Sequence, residues 1–162
     1  MRPGLRKLVL TAHVTTSVGW AGAVAAYLAL DITATVGADV QAVRSAYLAM
    51  ETTAWWVIVP LALASVLIGV VNALGTAWGL FRHYWVVAKL LLTLFATSVL
   101  LAETRTISAS ARAATTSADP RELPGSLPHS VGGLVVLLVV IGLSVYKPRG
   151  LTRYGWRKQR AQ

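Results

Sequence analysis

Cysteine is absent from the 162-residue chain, which removes disulfide frameworks, thiolate metal sites, iron–sulfur clusters and cysteine nucleophiles together. Charge is scarce as well. Asp, Glu, Lys and Arg make up 13% of the residues, against roughly 25% in an ordinary soluble domain, too few to cover a soluble surface. The chain also lacks a Walker loop, a dinucleotide fingerprint, an HExxH helix and a nucleophile elbow. No apolar stretch carries the acidic pair through which a proton pump or cation antiporter relays. Metal or redox chemistry here has to use His, Asp, Glu, Met, Tyr or a borrowed cofactor.

Hydrophobic residues, at 56%, fill four continuous runs: about 8–30, 54–77, 84–102 and 130–146. Each approaches the twenty or so residues that carry a helix across about 30 Å of hydrocarbon. The runs are continuous rather than alternating, so helices and not barrel strands are expected. The expected fold is all-α, a single four-helix up-down transmembrane bundle over 1–162 with a basic tail at 147–162. The first run follows Arg2, Arg6 and Lys7, yet at this length it exceeds a signal-peptide core of about 7–15 residues, and it reads as a retained span. A tight turn at Gly79–Arg82 makes the second and third helices antiparallel neighbours. The other connections, about 31–53 and 103–129, are long. The first has helical potential over Val36–Met50, suiting an interfacial helix; the second, with Pro120, Pro124 and Pro128, reads as an irregular excursion.

The net charge of +9 does not indicate nucleic acid, because the basic residues flank the apolar runs instead of forming one face. Arg2, Arg6, Lys7, Arg82, Lys147, Arg149, Arg153, Arg157, Lys158 and Arg160 fall on one side of an alternating bundle. All six acids fall on the other, with Arg44, Arg105, Arg112 and Arg121. The positive-inside rule then expects both termini in the cytoplasm of a bacterial cell. Trp55, Trp56, Trp78 and Trp85 lie where interfacial belts form, and the tail, with Tyr154 and Trp156, is expected along the cytoplasmic leaflet.

Ionisable side chains at membrane depth are costly and mark functional sites by default. Counting inward from the expected boundaries, His13, Asn72 and Lys89 each lie roughly 7–9 Å from the cytoplasmic side at 1.5 Å per residue. They are expected to converge inside the bundle, with His13 and Lys89 facing each other from diagonal helices. Asn72 also suits a plain interhelical hydrogen bond, and Lys89 can snorkel. Trp20 lies two turns from His13 on the same face, with Thr16, Ser17 and Tyr27 beside the stripe and Gly22 permitting close approach. Thr93 and Thr97 continue Lys89's face. His83 lies in the cytoplasmic turn, as a solvated histidine or a second ligand; His129 opens the fourth helix at the opposite end.

The His13-x6-Trp20-x-Gly22 pattern, with Trp85-Val86-Val87-Ala88-Lys89-Leu90 opening a third helix, resembles a group of four-helix membrane proteins. The group includes bacterial integral membrane proteins of unknown function, the copper-resistance D domain and the HemJ-type protoporphyrinogen oxidase. The runs Leu74–Trp85 and Ser144–Gly150 look like actinobacterial members of that set. In the oxidase family a first-helix histidine and a third-helix lysine handle haem and porphyrin, and the resemblance carries those roles to His13 and Lys89. This chain departs from that pattern in its long outer loops and its single first-helix histidine.

Two functions of different class follow. One is binding of haem b or a related tetrapyrrole for membrane electron transfer, with His13 as axial metal ligand, His83 as second ligand, Lys89 on a propionate, and Trp20 and Asn72 lining the site. The other is a non-catalytic accessory or structural subunit, with a membrane-protein partner or a second copy of the chain packed on the bilayer-embedded bundle. Copper handling is disfavoured because soft donors are missing: there is no cysteine, and Met1 and Met50 lie outside the expected spans.

Overall fold

A computed structural model describes residues 2–75, 79–148 and 150–160. Ala77, Trp78, Arg149 and Met1, which enter the sequence reading, lie outside these. Among the described residues every named element is helical, in the order α1 (Pro3–Val36), α2 (Val40–Thr53), a π-helical turn (Ala54–Ile58), α3 (Val59–Leu74), α4 (Tyr84–Thr116), a 3-10 turn (Pro120–Glu122), α5 (Leu127–Tyr146) and α6 (Arg153–Arg160). Four helical stretches are long and apolar enough to cross a membrane: α1, the α2–α3 run, α4 and α5.

These four form a ring in which α1 neighbours α3 and α5, and α4 neighbours the same two. α1 and α4 are therefore diagonal, as expected for the first and third spans. The bundle has a terminal end, where both chain ends and the α3–α4 turn lie, and a loop end carrying the α1–α2 and α4–α5 connections.

The expected long loops at that second end are mostly helix. α1 runs to Val36 and α4 to Thr116, both well past their apolar stretches, and the first connection is α2 itself. Asp39 caps α2 through Ala42 N–H at 2.9 Å. α2 then continues through the π turn into α3 instead of lying along an interface. The π turn lies just before Pro60, and the proline accounts for it. Its ring collides with the carbonyl four residues back and it donates no hydrogen bond, and a wider turn, with Val59 N–H reaching Ala54 C=O, absorbs both defects.

Packing is densest toward the loop end. Trp20, Val24, Tyr27, Asp31 and Ala34 on α1 and Val43, Ala46, Tyr47 and Met50 on α2 are all buried. Met50 thus belongs to a helix and to the core, not to a loop. Polar side chains close this end. Arg44 donates to the Thr115 and Ser117 carbonyls at 3.0 and 3.1 Å, capping the C-terminus of α4. Arg121 bridges Asp119 at 2.6 Å and reaches the Ala38 carbonyl. The Arg121 hydrogen bonds hold the Asp119 carboxyl down at about 2.

At the terminal end the chain after α5 turns back. Thr152 N–H donates to Arg82 C=O at 3.0 Å, Tyr84 N–H donates to Gly150 C=O at 3.3 Å, and the Thr152 hydroxyl donates to Phe81 C=O at 2.6 Å. A side chain at Gly155 would strike the Arg82 carbonyl, so only glycine lets α6 sit this close. The basic tail begins pinned to the α3–α4 turn.

Candidate functional site

His13 lies on the inner side of α1, half-buried, with the Cε1 edge of its imidazole toward Gly69 of α3. A methyl at Gly69 would come within 2.8 Å of the ring. The ring lies beside the Ser65 backbone, yet its buried Nδ1 has no hydrogen bond. One turn along, Ser17 and Ser65 share a hydrogen bond of 2.8 Å. Small residues on α3 therefore let α1 approach closely enough to bed a histidine between the helices.

Lys89 leans the other way. Its Nζ donates to Ser144 Oγ on α5 at 3.2 Å and stands 5.8 Å from the Trp85 ring centre, a cation–π distance. The residue is within electrostatic range of His13, and Thr93 and Thr97 follow it up α4 with their hydroxyls bonded back to Lys89 and Thr93 carbonyls.

Antiparallel packing fixes the levels of these groups. His13 opposes Gly69, so Asn72 lies three residues, roughly 4.5 Å, closer to the terminal end. Ser130 meets Asp31 and Ser144 meets Lys89; following α1 back by the same length of helix brings Lys89's amine level with Ser17, roughly 6 Å beyond His13. The three polar groups are staggered over roughly 10 Å of the interior instead of sharing one layer: α1 begins at Pro3 and α3 ends at Leu74, away from the edges of their apolar runs, while α4 begins at Tyr84 as expected.

His83 is the N-cap residue of α4 at the terminal end, in extended backbone paired with Leu151 of the tail. Trp20 is fully enclosed, at 2% exposure, but it lines a different cavity farther toward the loop end. Among the described residues no group of three or more His, Asp or Glu side chains is placed to hold a metal ion. A metal at His13 would therefore have to arrive inside a macrocycle that supplies its own donors.

The loop end holds two polar sites that sequence reading missed. Asp31, expected in a loop, is fully buried on α1 and accepts from Ser126 N–H at 3.2 Å, Ser126 Oγ at 2.9 Å and Ser130 Oγ at 2.6 Å. His129, at the opposite end from His13 as expected, has Glu103 of α4 at 3.5 Å. A signal for Asp31 is present in the sequence: Trp20, Val24, Tyr27, Asp31 and Ala34 recur at alternating spacings of four and three, an inward stripe that runs past the apolar stretch.

Comparison with protein-family models, curated proteins and solved structures gives no match to this chain, so function rests on its own residues.

Proposed function

We propose that the chain is a multi-pass protein of the cell membrane, with both termini in the cytoplasm, whose bundle binds haem b or a related tetrapyrrole through His13. Membrane embedding is supported by large apolar side chains turned outward along the spans, such as Leu67, Leu91 and Leu138, each more than half exposed. In water such faces would be an aggregation hazard; in a bilayer they are solvated. The orientation is supported by the ten basic residues that the sequence places in the N-terminus, the second connection and the tail.

The observation that carries the haem reading is the His13 imidazole. Ligating histidines commonly turn one ring nitrogen into a backbone carbonyl and offer the other to the metal. His13 has Nδ1 buried toward α3 beside the Ser65 backbone, without a hydrogen bond; a small turn of the ring that gave this nitrogen the Ser65 carbonyl would leave Nε2 as the ligating atom. Lys89 supplies a cation on the diagonal helix, on a long stem that can exchange Ser144 for a propionate. His83 offers a second imidazole from the terminal end, and Asn72 a polar amide between the two levels. Bound haem would supply one-electron transfer; the protein's part is to hold the imidazole's tautomer, pair the propionate charge and keep the site within the bundle.

Detergent-purified protein from haem-supplied cells is expected to show a Soret band that His13→Ala abolishes and Lys89→Ala weakens. A colourless wild-type protein sinks the reading. Co-purification of such a colourless protein with a stoichiometric membrane partner, with His13→Ala behaving as wild type, would establish the accessory-subunit function in its place.

A further inference from the structure

α4 and α5 are joined at both ends of their contact, by Lys89–Ser144 at the terminal end and by Glu103–His129 at the loop end. Between these two clasps lies a cavity of about 250 Å³. Its walls are apolar, with Trp20 and Val24 at the back on α1, Val99 on α4 and Leu137 on α5. Its loop-end lip is polar, formed by Glu103, His129 and Ser126. Phe95 and Gly132, both exposed, border the side that faces outward from the bundle. A chamber with a long greasy wall and polar groups at one end matches an amphiphile lying along the helices.

The depth and chemistry of the lip narrow the class of amphiphile. Trp55 Nε1 donates to Ser108 Oγ on α4, which puts the tryptophan pair roughly 7–8 Å beyond Glu103 along that helix. On the membrane reading, on which this inference rests, the lip therefore lies where headgroups give way to acyl chains. The serine hydroxyls behind the lip are committed to Asp31 and the Tyr27 hydroxyl is engaged with Ser126, which leaves the Glu103 carboxylate, which accepts, and the imidazole of the more exposed His129. An anionic head would meet Glu103 with Asp31 buried behind it. A hydroxyl satisfies the lip, since it donates to the carboxylate and accepts from the imidazole.

We propose that this cavity is a binding site for a long-chain membrane lipid with an uncharged, hydroxyl-bearing head, which enters sideways between α4 and α5 and hydrogen-bonds Glu103 and His129. An isoprenoid quinol and a diacylglycerol share that chemistry.

Gly133 lines the cavity, and a Cβ added there meets no atom within 4 Å, so a larger side chain can be built out from that wall. In liposomes carrying the full chain, a photoactivatable long-chain alcohol is expected to label the walls at Phe95, Val99 or Leu137. Gly133→Phe, and independently Val99→Phe from the facing wall, should reduce that labelling at least tenfold, and Glu103→Gln with His129→Ala should reduce it several-fold. Helical circular dichroism should stay unchanged, as should any Soret band, since His13 lies in another part of the bundle; loss of haem binding alone leaves this site standing. Competition by a quinol but not a diacylglycerol, or the reverse, identifies the source. Labelling that survives both filling variants, a fatty acid that labels as strongly as the alcohol, or competition by neither lipid overturns the proposal.

Discussion

Asp31 shows what a single side chain does when helices extend beyond their apolar runs. The first turn of α5 begins at Ser126, whose own side chain makes no capping bond, so its free N–H groups need an acceptor from elsewhere. Asp31 provides one from α1, and its negative charge sits favourably at the positive end of the α5 dipole. Truncation leaves a backbone N–H and two hydroxyls to find other partners. Ser130 has one already in the Leu127 carbonyl at 3.1 Å, and the Ser126 hydroxyl has the Tyr27 hydroxyl beside it. Asp31→Ala is expected to cost about 2–4 kcal/mol and Asp31→Asn about half that, because the amide keeps one acceptor. Denaturation midpoints in detergent would measure both. An alanine variant as stable as wild type would mean that α5 is held by apolar packing alone.

At the level of elements, the unusual feature is the run from Val40 to Leu74, in which a proline is carried inside one continuous helix by a π turn. If Pro60 is the cause, Pro60→Ala restores a donor and removes the ring, and the turn should tighten to regular α-helix. Slower amide exchange over residues 54–60 is the expected signature; unchanged exchange would assign the π turn to the Trp55–Ser108 bond instead. The four long apolar helices were legible because their apolar runs are long and continuous enough for composition to reveal them directly. The helical extensions were not, since Glu103–Thr116 and Asp31–Val36 are polar enough to resemble connections. Their helicity shows in inward stripes such as Thr97, Thr104 and Ala111, spaced seven apart and buried. The pairing of Glu103 with His129 was hidden for the same reason, as it requires α4 to continue as helix. His13 and Lys89 were legible as isolated polar residues in apolar runs, but which neighbour each leans on depends on the small residues Gly69 and Ser144, and nothing in the pattern of either run indicates that.

For the whole molecule, charge and packing divide the bundle differently. Basic residues gather at the terminal end, whereas burial and the satisfied polar caps gather at the loop end. A membrane protein oriented by its positive charges would place the charged, loosely packed end in the cytoplasm and the capped helical extensions outside. The absence of cysteine makes this directly testable, because any single cysteine introduced is the sole thiol. Gly155 is unsuitable as a reporter, since its packing on Arg82 leaves no room for a side chain; Arg157 in the tail and Ala118 at the loop end are both exposed. In intact cells a membrane-impermeant maleimide should label Ala118→Cys and spare Arg157→Cys, with the tail thiol reacting only after permeabilisation. The reverse pattern would place the His13 level near the outer leaflet and the Glu103–His129 lip near the cytoplasm. Labelling of both in intact cells would mean that the four apolar helices do not alternate across the bilayer.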